Sequence, residues 1–230
     1  MAMNSLLTQY YTRSIRLTPD GFSLYCLHDD GKYQDAFYPA TENALISDKA
    51  PRFFNMEQDS GQAIDIVVAT RMPLLVPDVI YDESKSRAYL ETQFDLSQYG
   101  QHFCDTLGHY KSLYFLTQNE YSTLAGLPCT PRFVSEATLL YRFLQGQEHS
   151  SSVLLSINKS FADILAVQKG EILLINRTPH IENVDLLYYT LNSVQQLGLS
   201  DPMLYVQNFD KANKKLTDLL AHYIENITIL

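Results

Sequence analysis

Two short turns carry the residues best suited to chemistry: Arg16, Thr18 and Asp20 around one, Asn158, Lys159 and Ser160 around the other. A guanidinium forks onto carboxylate or phosphate oxygens, and an ammonium offers a compact positive charge. Thr, Ser and Asn add neutral hydrogen-bonding groups. If the two turns face each other, they form a candidate cleft that clamps an anion or nucleotide without a metal. The same residue types also favour turns for conformational reasons alone. Both readings stand on the sequence.

Other reactive side chains are explained without catalysis. His28-Asp29-Asp30 precedes Gly31, and Asp-Gly is a hairpin turn pair. His102 and His109 lie seven apart in no ligand spacing. Asp78, Asp82 and Glu83 follow PLLVP, where a helix start favours acids. Ser150-Ser151-Ser152 has no flanking glycine and reads as a linker; no G-x-S-x-G nucleophile turn occurs. Neither G-x-x-x-x-G-K-[ST] nor G-x-G-x-x-G is present among nine glycines. No catalytic residue, cofactor or metal site is therefore assigned. Cys26, Cys104 and Cys129 are odd in number and widely spaced, which predicts buried free thiols in a reducing, cytoplasmic setting.

Composition narrows the partners. The 230 residues are 46% hydrophobic and 19% charged, with a formal charge of −9. Nucleic-acid binding begins with phosphate neutralisation, so an acidic chain without a basic run argues against DNA or RNA. No apolar run is long enough to span a bilayer, and Met1 to Tyr11 lacks the basic start of a signal peptide. Sixteen tyrosines, among them the pairs Tyr10-Tyr11 and Tyr188-Tyr189, suit a protein partner.

The elements that must position these residues follow from periodicity. Thr12 to Leu17 alternates, with Ile15 and Leu17 on one face and Ser14 and Arg16 on the other. Pro19-Asp20-Gly21 turns the chain, Phe22 to Leu27 makes a second strand and Tyr33 to Tyr38 a third. A helix is predicted over Thr41 to Met56, broken near its middle by Pro51, before a buried strand over Ile64 to Thr70. Pro77 to Gln93 reads as helix, with Val79, Ile80, Tyr89 and Leu90 as its apolar contributions. Strands at Tyr99 to Leu107 and Tyr110 to Thr117 lead to helices at Asn119 to Leu127 and Ser135 to Leu144. From residue 153 the order recurs: strands at Val153 to Ile157, Phe161 to Val167 and Glu171 to Asn176. A helix opened by Thr178-Pro179 follows, with Val184, Leu187, Leu191 and Val194 as its buried stripe and Gly198 as its stop. Pro202 to Val206 is a strand, Asp210 caps a last helix, and Ile227 to Leu230 begins one more strand. Ile66, Val67 and Val68 should correspond to Leu204, Tyr205 and Val206. The fold class is α/β with mixed sheets, built from two βββαβ halves: residues 1–95, then a bridge plus second half over 96–230. Residues 96–149 form the bridge and are expected to lend elements to the second half.

That duplicated order resembles the actin-like ATPase fold, built of two ribonuclease-H-like halves. The run AGLP…EATLLYRFL…SSVLLSINKSFADILAVQKGEILLINRTPHIENVDLLYYTLNSVQQLGL is similar to the second half of the pilus-assembly actin-like ATPases. SIRLTPDGFSL, PLLVP and NVDLLYYTLN resemble an uncharacterised bacterial family assigned the same fold. In active members, the resemblance implies, the first hairpin of each half carries a metal-holding Asp and glycines that admit phosphate. Here Arg16 and Ser156 stand at the Asp positions, while Thr18-Pro19 and Asn158 replace glycine. The resemblance thus implies a pseudo-ATPase: a non-catalytic scaffold or adaptor with a protein partner.

Overall fold

The structure is a computed structural model, described for residues 10–28, 30–56, 61–208 and 214–230. Its compact units divide between Thr138 and Leu139.

The first unit is built on a five-stranded sheet. β1 (Arg13–Thr18), β2 (Gly21–Leu27) and β3 (Tyr33–Pro39) form an antiparallel meander. β4 (Ala63–Val68) then pairs parallel to β1 after helix α1 (Ile46–Phe53). Gly21 makes the first hairpin: at φ +141° an added Cβ would sit 2.1 Å from the Tyr38 carbonyl oxygen. Strand alternation sends Ile15, Leu17, Leu24 and Ile66 into one core with Ala50 and Phe54 from the α1 region. Burying each large aliphatic side chain contributes about 1.5–3 kcal/mol.

Between β4 and the last strand of this sheet lies an insertion. β5 (Leu74–Pro77), β6 (Tyr99–Leu107) and β7 (Tyr110–Thr117) form a three-stranded sheet in the order β5-β7-β6. Helix α2 (Ser86–Glu91) supplies Leu90 to its core with Val76, Leu113 and Phe115. Helix α3 (Gln118–Ala125) begins with a capping box in which Thr117 and Glu120 bond each other's backbone N–H. β8 (Thr130–Ser135) pairs parallel to β4, giving the order β3-β2-β1-β4-β8. The expected bridge therefore contributes this strand to the first sheet, not the second. Its Pro131 hid it, yet an edge strand tolerates a residue without an N–H.

The second unit repeats the plan. Helix α4 (Glu136–Gln145), whose first residues belong to the first unit, precedes an antiparallel meander of β9 (Ser151–Ile157), β10 (Phe161–Gln168) and β11 (Glu171–Pro179). Helix α5 (Asn183–Gln196) leads to β12 (Met203–Asn208), parallel to β9. After α6 (Lys214–Leu220), β13 (Ile227–Ile229) pairs parallel to β12, as the β-branched run at the end of the sequence predicts. The order β11-β10-β9-β12-β13 matches that of the first sheet strand for strand. Val153, Leu155, Ile164, Leu204 and Val206 share a core with Leu186, Leu216 and Leu220.

Several local expectations are corrected. Pro51 lies inside α1, which ends only two residues later, so it does not split the helix. Pro77 to Gln93 is β5's last residue, two 3-10 turns and the short α2; Val79 and Ile80 are exposed. Thr178 and Pro179 end β11, paired with Ala162 and Phe161, and α5 is instead capped by Glu182 and Asp185. Starting at Asn183 rotates the helix, so Leu186 is buried and Val184 exposed. Tyr223 lies beyond α6 and is exposed. The serine run is no linker, for Ser151 and Ser152 open β9. Cys26 is buried, Cys129 half-buried and Cys104 exposed. Asp210 lies outside the described residues. In the parallel registers, Ile66 faces Ile15 and Val206 faces Leu155, so Ile66 matches Val206 and not Leu204. The shift of two residues preserves every facing, which is why alternation could not detect it.

Candidate functional site

In each five-stranded sheet one face is apolar and the other mixes polar with apolar side chains, and the candidate strand residues lie on the mixed face. On β1, Ser14, Arg16 and Thr18 alternate with the core residues Ile15 and Leu17. Arg16 is 2% exposed and bound in a fork by Glu136, the first residue of α4. Nε donates to Oε1 at 3.0 Å, while Nη2 donates to Oε1 at 2.7 Å and Oε2 at 2.9 Å. The pair satisfies its charge internally, as a buried guanidinium requires. Thr18 closes the hairpin, its hydroxyl donating to the Gly21 carbonyl at 3.0 Å. Asp20 sits in the turn, half-buried, and its carbonyl accepts the N–H of Ala40.

The second hairpin is arranged differently. Asn158 is buried at the end of β9, and its carbonyl accepts a hydrogen bond from His180 Nε2 at 2.8 Å. Lys159 and Ser160 are exposed in the turn, and the Ser160 carbonyl accepts the His180 N–H. Ser156 stands where Arg16 stands in the first hairpin, two residues before the turn. Its neighbours across the sheet are Asp163 on β10 and Gln207 on β12. Ser156 Oγ and both polar atoms of the Gln207 amide are buried and bond no described residue. Asp163 is taken up by Arg177 of β11, with Nε–Oδ1 at 2.7 Å and Nη2–Oδ2 at 2.8 Å. The same guanidinium lies 3.9 Å from the Phe161 ring centre.

Sequence reasoning missed the partners that decide this chemistry. Glu136 opens a helix, where an acid needs no further explanation, and only the fold brings it 120 positions back to Arg16. Asp65 sits within the apolar run IDIVV and bonds Arg132 of β8 at 2.7 Å. Burial pushes its carboxyl above the usual range, partly offset by that guanidinium. Asp105 on β6 accepts the Ser135 N–H at 2.8 Å and the Thr138 hydroxyl at 2.7 Å, fixing the start of α4.

These residues do not fit a magnesium–nucleotide site of the kind the resemblance implies. One metal position carries an ion-paired arginine and the other a serine. Thr18 and Asn158 place side chains where backbone would have to approach phosphate. Among the described residues, no three of His, Cys, Asp and Glu are grouped to hold a metal.

Comparison with known proteins agrees with this architecture. The family model described as "Protein of unknown function (DUF3822)" matches residues 2–227. A search of curated proteins by sequence finds no match. Among solved structures, a Bacteroides thetaiotaomicron protein with actin-like ATPase fold and unknown function is similar, with a TM-score of 0.72 at 19% identity. The match covers 96% of this chain and 90% of that one. A chain of the PilM-PilN type IV pilus biogenesis complex gives a TM-score of 0.65 at 10% identity, over 95% and 88% of the two chains. At these identities the likeness shows the fold, and the fold is that of the actin-like ATPases.

Proposed function

This chain belongs to the DUF3822 family, and we propose that it works as a non-catalytic scaffold or adaptor: an actin-like fold kept for protein contact after the loss of nucleotide chemistry. The observation that carries the reading is the Arg16–Glu136 pair, buried and bidentate where a metal-binding carboxylate would be needed. An arginine there repels Mg²⁺, and its own carboxylate partner is already occupied. Exposed apolar side chains at and just before the start of α5, Ile181, Val184 and Tyr188, support a protein-facing role. So does the place of a structural neighbour in the PilM-PilN complex.

The test has two arms. With Mg²⁺–ATP the purified protein is expected to release no phosphate above background and to gain no melting temperature. A photo-crosslinker at Tyr188, in cells that make the protein, is expected to give a discrete protein adduct that disappears in the Ile181→Ser/Val184→Ser variant. Turnover of ATP that is abolished in a Ser156→Ala or Arg16→Met variant would overturn the reading. A second reading, binding of an anion or nucleotide without turnover, is favoured by the exposed Lys159 and Ser160 and by the unused hydrogen-bonding groups of Ser156 and Gln207. It predicts a melting shift with ATP or GTP that Lys159→Ala removes.

A further inference from the structure

The insertion holds a cavity of about 310 Å³, lined by Arg71, Phe94, Asp95, Ser97, Gln98, Phe115 and Thr117. Arg71 follows β4 and lies half-buried under the loop between α2 and β6. Its guanidinium stacks 4.2 Å from the Phe115 ring centre, and Nη1 donates to the Phe115 carbonyl at 2.9 Å. No described carboxylate forms an ion pair with it: Glu120, whose charge acts on it, spends one carboxylate oxygen on the N–H and hydroxyl of Thr117. Of the five N–H donors on a guanidinium, one is used within the described residues, and neither Nε nor Nη2 is a buried atom without a partner. Stacking fixes the plane of the fork, and burial favours its neutral form, so an incoming anion would relieve a standing cost.

Across the same cavity, Asp95 anchors its loop by accepting the N–H of Ser97 at 2.9 Å and the Ser97 hydroxyl at 3.0 Å. The Gln98 side chain bonds no described residue. An arginine without an ion-pair partner among the described residues, an acidic acceptor and an amide therefore line one cavity, with Phe94 as an apolar wall. Asp95 disfavours a dianion such as phosphate, while it rewards a ligand that carries a hydrogen-bond donor.

We propose that this cavity binds a small organic carboxylate bearing an adjacent hydroxyl or amino group, of the hydroxy-acid or amino-acid class. The carboxylate lies on the open fork of Arg71, and the adjacent donor faces Asp95. The site lies wholly within the first unit and is independent of the two hairpins.

The experiment follows the Arg71 Nε–H resonance of the full chain by NMR during titration with L-lactate, L-malate, L-serine, L-aspartate, acetate and inorganic phosphate. At least one hydroxy or amino acid is expected to saturate the shift near millimolar concentration, about 4 kcal/mol of binding. Acetate and phosphate should bind at least about tenfold more weakly. Because Arg71→Gln removes the observed group, the variants are read by the melting temperature gained with the best ligand. Arg71→Gln should abolish that gain and Asp95→Asn should lower it about tenfold in affinity. Should Arg71→Gln fail to fold, Arg71→Lys, which keeps the charge but loses the fork, and the exposed Gln98→Ala serve in its place, each with weakened binding. No saturable shift with any probe, tighter binding of phosphate than of every hydroxy or amino acid, or binding indifferent to these substitutions would overturn the proposal.

Discussion

The two sheets have the same strand order and treat their polar faces in opposite ways. In the first, position for position, Arg16 is flanked by Ser23 and Val67 and closed by Glu136. In the second, Ser156 is flanked by Asp163 and Gln207, and the serine and the amide have no described partner. At this position the first face is locked by charge, while the second leaves a serine and an amide without a described partner beside the Asp163–Arg177 pair. A duplicated backbone thus fixes where a side chain points, but not whether the site it enters is structural or open. What closes the first hairpin is one residue from outside the repeat.

The largest expected effect breaks the lock. Glu136→Gln removes the charge that forks onto the buried Arg16 and should cost about 3–5 kcal/mol in urea unfolding. The double variant Arg16→Met/Glu136→Leu should restore stability to within about 1 kcal/mol of the parent or exceed it. If the double variant is as unstable as the single one, the pair does more than neutralise itself. The equivalent cut in the second sheet should be milder. Asp163→Asn leaves Arg177 stacked on Phe161 and nearer to water, so a loss of about 1–3 kcal/mol is expected by the same assay.

Gln207→Leu sharpens the contrast from the other side. An amide that bonds no described residue carries a desolvation cost, so its removal should leave stability unchanged or raise it by about 1 kcal/mol. A clear loss would mean that the second face is closed as fully as the first. The smallest effect concerns Asp65. Its folded carboxyl is raised above the usual value, so the folded state binds that proton more tightly than the unfolded chain does. Stability from this group is therefore greatest below the ordinary carboxylate range and declines as pH climbs through the raised value. Asp65→Asn should gain relative to the parent between about pH 4 and pH 6. An unchanged difference across that window would place the carboxyl at its ordinary value.

The duplication is legible in the sequence because both meanders are runs of short apolar strands and both first hairpins announce themselves with turn residues: Pro19-Asp20-Gly21 and Asn158-Lys159-Ser160. Strands read less well where polarity interrupts them. β8 carries Pro131 and Arg132, and β5 is four residues long and merges into PLLVP. The start of α5 is misread because Thr178-Pro179 imitates a helix start, whereas a strand end accepts the same proline. The candidate residues fall on their expected strands and turns, since position within an alternating strand is local information. The partners Glu136, Arg132 and Arg177 are not legible, since ion pairing across 14 to 120 positions depends on strand register and order. Arg71 escapes notice for a related reason: nothing local marks an arginine as lacking a carboxylate.

The insertion between β4 and β8 also bears on how the chain is made. β4 offers Ile64, Ile66 and Val68 along an edge that only β8 covers, and β8 lies about sixty residues downstream. At ribosomal rates of about 5–20 residues per second, that edge stands open for about 3–12 s. The matching edge of β12 waits for β13 over about twenty residues, roughly 1–4 s. During the longer interval a nascent chain presents an apolar, β-branched strand to any other unfinished chain nearby, and the β5–β7 and β6–β7 pairings that form meanwhile belong to the insertion and leave that edge bare. The cost of hosting the insertion thus falls on synthesis, where the first sheet waits for its last strand about three times as long as the second.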